Sequence, residues 1–112
     1  MKRKYLHLAM YRAMDCLYEE QKTPSEELLQ FVSDVNPYLY KERVAADSAL
    51  QAEFNDSMNR QNIGQNVDEK SAYYAVKNFL AEQNPRFAEM FEDISLEEWQ
   101  ELCDIIESEE NA

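Results

Sequence analysis

Glycine occurs once and proline three times in 112 residues, so the chain holds few interruptions to long helices. Valine, isoleucine and threonine are sparse, while alanine, leucine, glutamate, glutamine and methionine are plentiful. That balance favours helix over strand. Histidine occurs once, which removes most acid–base and nucleophilic arrangements. A Ser-His-Asp triad would need His7 as its base, and no serine stands in a nucleophile-elbow context. Cys16 lies on the same predicted helix as His7 but about two and a half turns away, on the opposite side. His7 is therefore expected to be an idle helix-terminal or surface side chain. Cys16 and Cys103, the only cysteines, are too far apart in sequence for a metal motif or a disulfide framework. They read as buried, reduced thiols of a cytoplasmic protein.

Basic residues are also few: 11 against 23 acidic ones, for a formal net charge of −12. Arg86 is the last of them, and only carboxylates follow, from Glu89 to Glu110. Such a surface repels phosphate backbones and anionic membranes, which disfavours direct nucleic-acid or membrane binding. A protein partner with a basic surface is its electrostatic complement; plain solubility is the competing explanation. Lys2-Arg3-Lys4 is all that the start shares with a signal peptide. His7, Arg12 and Asp15 interrupt the apolar region, and no small-residue cleavage site follows. No stretch approaches the roughly 18 apolar residues of a membrane span.

What the chain does have is helical periodicity. With 45% hydrophobic residues, it reads as one all-α domain over residues 1–112. From Lys4 to Gln21, Leu6, Ala9, Met10, Ala13, Met14 and Leu17 recur at helical spacing, flanked by Tyr5, Leu8, Tyr11 and Tyr18. A helix apolar over most of its circumference is surrounded by others. The expected architecture is a bundle of about five helices around this N-terminal one.

A second helix follows Thr23-Pro24-Ser25-Glu26, with Thr23 as cap and Leu28, Leu29, Phe31, Val32 and Val35 as its apolar residues. After Asn36-Pro37, a turn or irregular segment carrying Tyr38 and Tyr40 leads to a helix near Asp47 with Leu50, Phe54 and Met58. One continuous helix over 37–59 is the alternative. Residues 59–68 form a loop, and Asp68 caps a helix burying Ala72, Tyr73, Val76, Phe79 and Leu80. A short turn after Asn84-Pro85 carries Phe87, Met90 and Phe91. Ser95 and Glu98 make a capping box for the last helix, whose buried stripe is Trp99, Leu102, Cys103 and Ile106. Its final residues, Glu109 to Ala112, are expected to fray.

No Glu-x-x-His pair supports a di-metal bundle. A calcium loop centred on Gly64 would place Lys70 and Ile63 at ligand positions. Glu97-Glu98-Trp99-Gln100-Glu101 resembles the Glu-Glu-x-x-Glu motif of the all-α nucleotide pyrophosphohydrolases of the MazG type. In those enzymes such carboxylates hold magnesium, with a Glu-x-x-Asp pair on a later helix. Here Glu101-Leu102-Cys103-Asp104 overlaps the first motif, so a solvated helix face is the simpler reading and the activity is not carried over. No cofactor is expected. The preferred function is a non-enzymatic acidic interaction module, physically like immunity proteins or inhibitors that cover a basic partner. In it Glu97, Glu101 and Asp104 steer and pair with the partner, and Tyr38 and Tyr40 provide an aromatic anchor. A magnesium-dependent nucleotide-hydrolysing enzyme and a helical adaptor are the alternatives.

Overall fold

The computed structural model describes residues 1–111. A 3-10 turn at Arg3–Tyr5 leads into six α-helices: α1 Leu6–Glu20, α2 Glu26–Val35, α3 Ser48–Arg60, α4 Glu69–Gln83, α5 Pro85–Phe91 and α6 Leu96–Glu110. The architecture is the expected all-α bundle around the N-terminal helix, with α5 a helix of seven residues where a turn was expected. Asn84 explains that difference. Its side chain caps Arg86 N–H while Pro85 occupies the first helical position, where a missing N–H costs nothing.

Residues Tyr5 to Met10 are all buried, six in a row, which no single helix face can supply. α1 accordingly packs on α2, α4, α5 and α6, and its His7 ring meets Phe54 of α3 edge-on at 5.3 Å. Ala9 and Ala13 are fully covered on the same rod. On the far side of the core, Tyr73, Phe91 and Trp99 stack in contact, and the Trp99 indole donates to Glu69 O at 3.0 Å.

The caps at Asp68 and Ser95 stand where the sequence places them, both halves of the Ser95–Glu98 capping box form, and the helix expected near Asp47 starts there with Asp47 itself as its cap. α2 starts differently. Ser25, not Thr23, accepts the Leu28 N–H at 3.1 Å, so Thr23-Pro24 lies outside the helix. Leu29 points outward, 47% exposed, because it lies about 100° around the helix from Leu28, and Leu28, Phe31, Val32 and Val35 form the buried stripe.

Residues 36–47 contain no helix, which excludes the continuous 37–59 alternative. Asp47 N–H donates to Asp34 O at 3.0 Å and closes the ends of this segment, giving a compact surface loop. Pro37 and Ala45 are its buried residues.

Three further expectations fail. Cys16 is exposed, because the circumference buried on α1 narrows beyond Met14; only Cys103 is buried, and both are free thiols. His7 is buried, at 3% exposure, because α2 and α3 close over the start of α1. The end of α6 is held rather than frayed: Arg12 binds Glu109 at 2.8 Å, Arg43 Nε binds Glu110 at 3.1 Å, and the Tyr5 hydroxyl donates to Asn111 Oδ1 at 2.9 Å. Ala112 lies outside the described residues. No helix among the described residues is long and apolar enough to cross a membrane.

Candidate functional site

Glu97, Glu101 and Asp104 project from the outer face of α6, and all three are exposed. No Lys or Arg among the described residues pairs with them. Asp104 sits beside Glu69 of α4; partial burial and the neighbouring Asp104 and Glu107 carboxylates push the Glu69 carboxyl above its ordinary range. The Glu-Glu-x-x-Glu resemblance meets a structural difficulty here. Glu98 folds back to accept the Ser95 N–H at 3.1 Å, so its carboxylate serves the start of the helix. Among the described residues no group of three or more His, Cys, Asp or Glu side chains is arranged to hold a metal ion.

Tyr38 and Tyr40 occupy the 36–47 loop and are about half exposed, and Leu39 between them is more exposed, at 66%. Tyr38 rests its edge on Tyr11 at 5.7 Å and carries the Arg43 guanidinium over its face at 5.1 Å. Arg43 in turn reaches Glu110, which places the tyrosine loop at the C-terminal end of α6. Glu97 belongs to the first turn of that helix, roughly 20 Å away along its axis at 1.5 Å per residue. The predicted carboxylates therefore run along α6 away from the predicted tyrosines, from Asp104 at roughly 9 Å to Glu97, and do not gather around them. Of the adjacent pair Tyr73-Tyr74, the first is buried with its hydroxyl on Ile94 O, and the second is exposed.

The acidic feature nearer the tyrosine loop is one that sequence reasoning missed. A groove between α2 and α3 is bordered by Glu26, Glu27, Asp34, Asp47 and Glu53 and by no cation, with Phe31 and Leu50 beneath. Four of these carboxylates are held by neutral donors: Glu27 by Asn84, Asp34 by Gln30, Asp47 by the Ala49 N–H, and Glu53 by Gln83. Amide donors fix a carboxylate's direction without cancelling its charge. The seven-residue step from Glu27 to Asp34, two turns of one helix, was legible in the sequence; the approach of Glu53 from α3 was not.

A second cleft, of about 590 Å³, has the opposite character. Lys2, Arg3, Lys4 and Arg43 surround it, Glu42 is its single carboxylate, and the buried rings of His7 and Phe54 contribute to its wall. It opens where the N-terminal segment pairs with the 59–68 loop, through Arg3 N–H to Gln65 O and Val67 N–H to Met1 O, both at 2.8 Å. His7 Nε2 lies 2.6 Å from Val35 O, and its Nδ1 has no partner among the described residues. Burial pulls the His7 pKa below its ordinary value, and the bond to Val35 only partly opposes that. Lys2-Arg3-Lys4 is plain in the sequence, but nothing there brings Arg43 to it.

No protein-family model, curated protein or solved structure matches this chain.

Proposed function

We propose that the protein is a non-enzymatic acidic interaction module that acts in the cytoplasm by covering a basic surface of another protein. The observation that carries this reading is the α2–α3 groove, where five carboxylates converge without a cation. Carboxylates held by neutral side chains keep their full charge and their orientation, so binding a Lys- or Arg-rich segment requires little ordering. The loop joining α2 to α3 leaves Asp34 and returns at Asp47, both on the groove's border, and it exposes Tyr38, Leu39 and Tyr40 as an apolar anchor. Tyrosine supplies contact area with few rotatable bonds, which suits a recognition surface. The outer face of α6, with Glu97, Glu101 and Asp104, adds long-range attraction that accelerates encounter rather than tightening the docked state.

The test is affinity capture from the native host on immobilised protein, washed at low and then high salt, with mass spectrometry of the eluate. A basic protein released by salt is expected for the wild type and absent for the triple variant E27Q/D34N/E53Q. The variant E97Q/E101Q/D104N should still capture it, with a slower and less salt-dependent association. If all three proteins retain the same material equally, the interaction reading is wrong.

A further inference from the structure

We propose that the cleft between the N-terminal segment, α1 and the 36–47 loop is a binding site for a small hydroxylated phosphate monoester. The site is independent of the α2–α3 groove, with which it shares no lining residue.

Four of the chain's 11 basic residues line this one cleft, in a molecule with 23 acidic ones. Their charge is largely unspent. Arg3 donates to the Ile63 and Asn55 carbonyls, at 2.8 and 3.2 Å, and neutral acceptors hold it in place without cancelling it. Lys2 and Lys4 pair with no carboxylate among the described residues. Arg43 is the exception, ion-paired with Glu110 through Nε and lying over the Tyr38 ring, though further N–H groups remain on its guanidinium. Its backbone takes φ 57, a left-handed conformation costly for a residue with a side chain. Several cations around one volume match a phosphate, whose oxygens accept several charge-assisted bonds at once.

His7 supplies the second, independent indication. A carbonyl oxygen only accepts, so the 2.6 Å contact with Val35 O requires the proton on Nε2. The neutral ring then has a bare lone pair at Nδ1, and that buried atom meets no donor among the described residues. An unmet buried acceptor is destabilising. His7 lines the cleft, so a ligand hydroxyl that displaces what now covers Nδ1 would satisfy it while the phosphate engages the lysines and arginines. The volume, about 590 Å³, falls inside the range of small-molecule sites.

Range decides between a small ligand and a polyanion. At physiological ionic strength charges are screened over about 8 Å. A monoester held in the cleft feels the adjacent cations, whereas a nucleic acid would extend over the surrounding carboxylate surface.

His7 is the sole histidine, so its imidazole nitrogens give one set of NMR signals in the isotopically labelled full chain. The protein, in phosphate-free buffer, is titrated with ribose 5-phosphate, and separately with inorganic phosphate and with ribose. The expected result is a saturable change at His7 Nδ1 with ribose 5-phosphate, weaker binding of inorganic phosphate, and none of ribose. The variant K2Q/K4Q changes two exposed side chains and should bind the ester at least about tenfold more weakly, or some 1.4 kcal/mol. Three results overturn the proposal: no saturable change with ribose 5-phosphate up to about 10 mM, equal binding by K2Q/K4Q, or inorganic phosphate binding as tightly as the ester. The last would mean a general anion hole that makes no use of Nδ1.

Discussion

His7 makes its one protein hydrogen bond through Nε2 and lies between Val35 and Phe54, at 3% exposure. Desolvation penalises its protonated form, so the folded state holds the proton less well than the unfolded chain does. The sign follows from linkage. The stability tied to neutral His7 is whole above its ordinary pKa of 6.5, and it is lost as pH falls through the lower folded value. His7→Gln places an amide donor near Val35 O and does not titrate. Urea unfolding at about pH 7.5 and about pH 5.5 should therefore show a larger acid-induced loss for the wild type than for the variant. Glu69, whose pKa is raised, is present in both proteins and cancels in the comparison. Equal losses would mean that His7 stays accessible to protons. Cys103 shows the same physics in an acid: burial, with Glu69 and Glu107 nearby, pushes its thiol up to about 12, so it is inert as a nucleophile.

At the scale of elements, the start of α2 separates pattern from geometry. Thr23-Pro24 and Ser25 offer two capping registers two residues apart, and both are chemically sound. Leu28, Val32 and Val35 share one face in either register, so periodicity cannot choose between them, and the bond from Leu28 N–H to Ser25 Oγ marks the one the fold adopts. Ser25→Ala should cost about 1 kcal/mol of unfolding free energy, while Thr23→Ala should cost almost nothing. Chemical denaturation of the two variants checks this, and the reverse order would restore the Thr23 register. Asp68 and Ser95 were legible as caps because each directly precedes a periodic apolar stretch, and Ser95 is followed three residues later by Glu98.

Over the whole molecule, charge repulsion is set against a well-filled core. The principal extents are 36 × 30 × 28 Å, close to the screening length of about 30 Å at 0.01 M salt. At that ionic strength the carboxylates repel one another across the entire protein, and five ion pairs among the described residues offset little of it. Raising NaCl to about 0.15 M shortens the screening length to about 8 Å and should raise the melting temperature measured by circular dichroism. A flat or falling Tm would mean that the surface ion pairs outweigh the repulsion. The same field isolates the basic cleft, whose cations act on a ligand at contact distance while the distant carboxylates are screened.

The helices and most of their buried faces were determined by the sequence itself, since hydrophobic spacing and capping chemistry act within one or two turns of chain. Tyr73 inside and Tyr74 outside, or Trp99, Cys103 and Ile106 on one stripe, follow from helical geometry alone. Glu97, Glu101 and Asp104 share an exposed face for the same reason. Tertiary structure decided everything that depends on which segments meet. His7 is buried because α2 and α3 close over it, and Cys16 is exposed because nothing covers the later part of α1 on that side. Glu53 joins Glu27 and Asp34 only through the packing of α3 on α2, and Arg43 joins Lys2-Arg3-Lys4 only through the folding of the 36–47 loop. Charges far apart in sequence share a field only when the fold sets them side by side, and neither composition nor periodicity carries that distance.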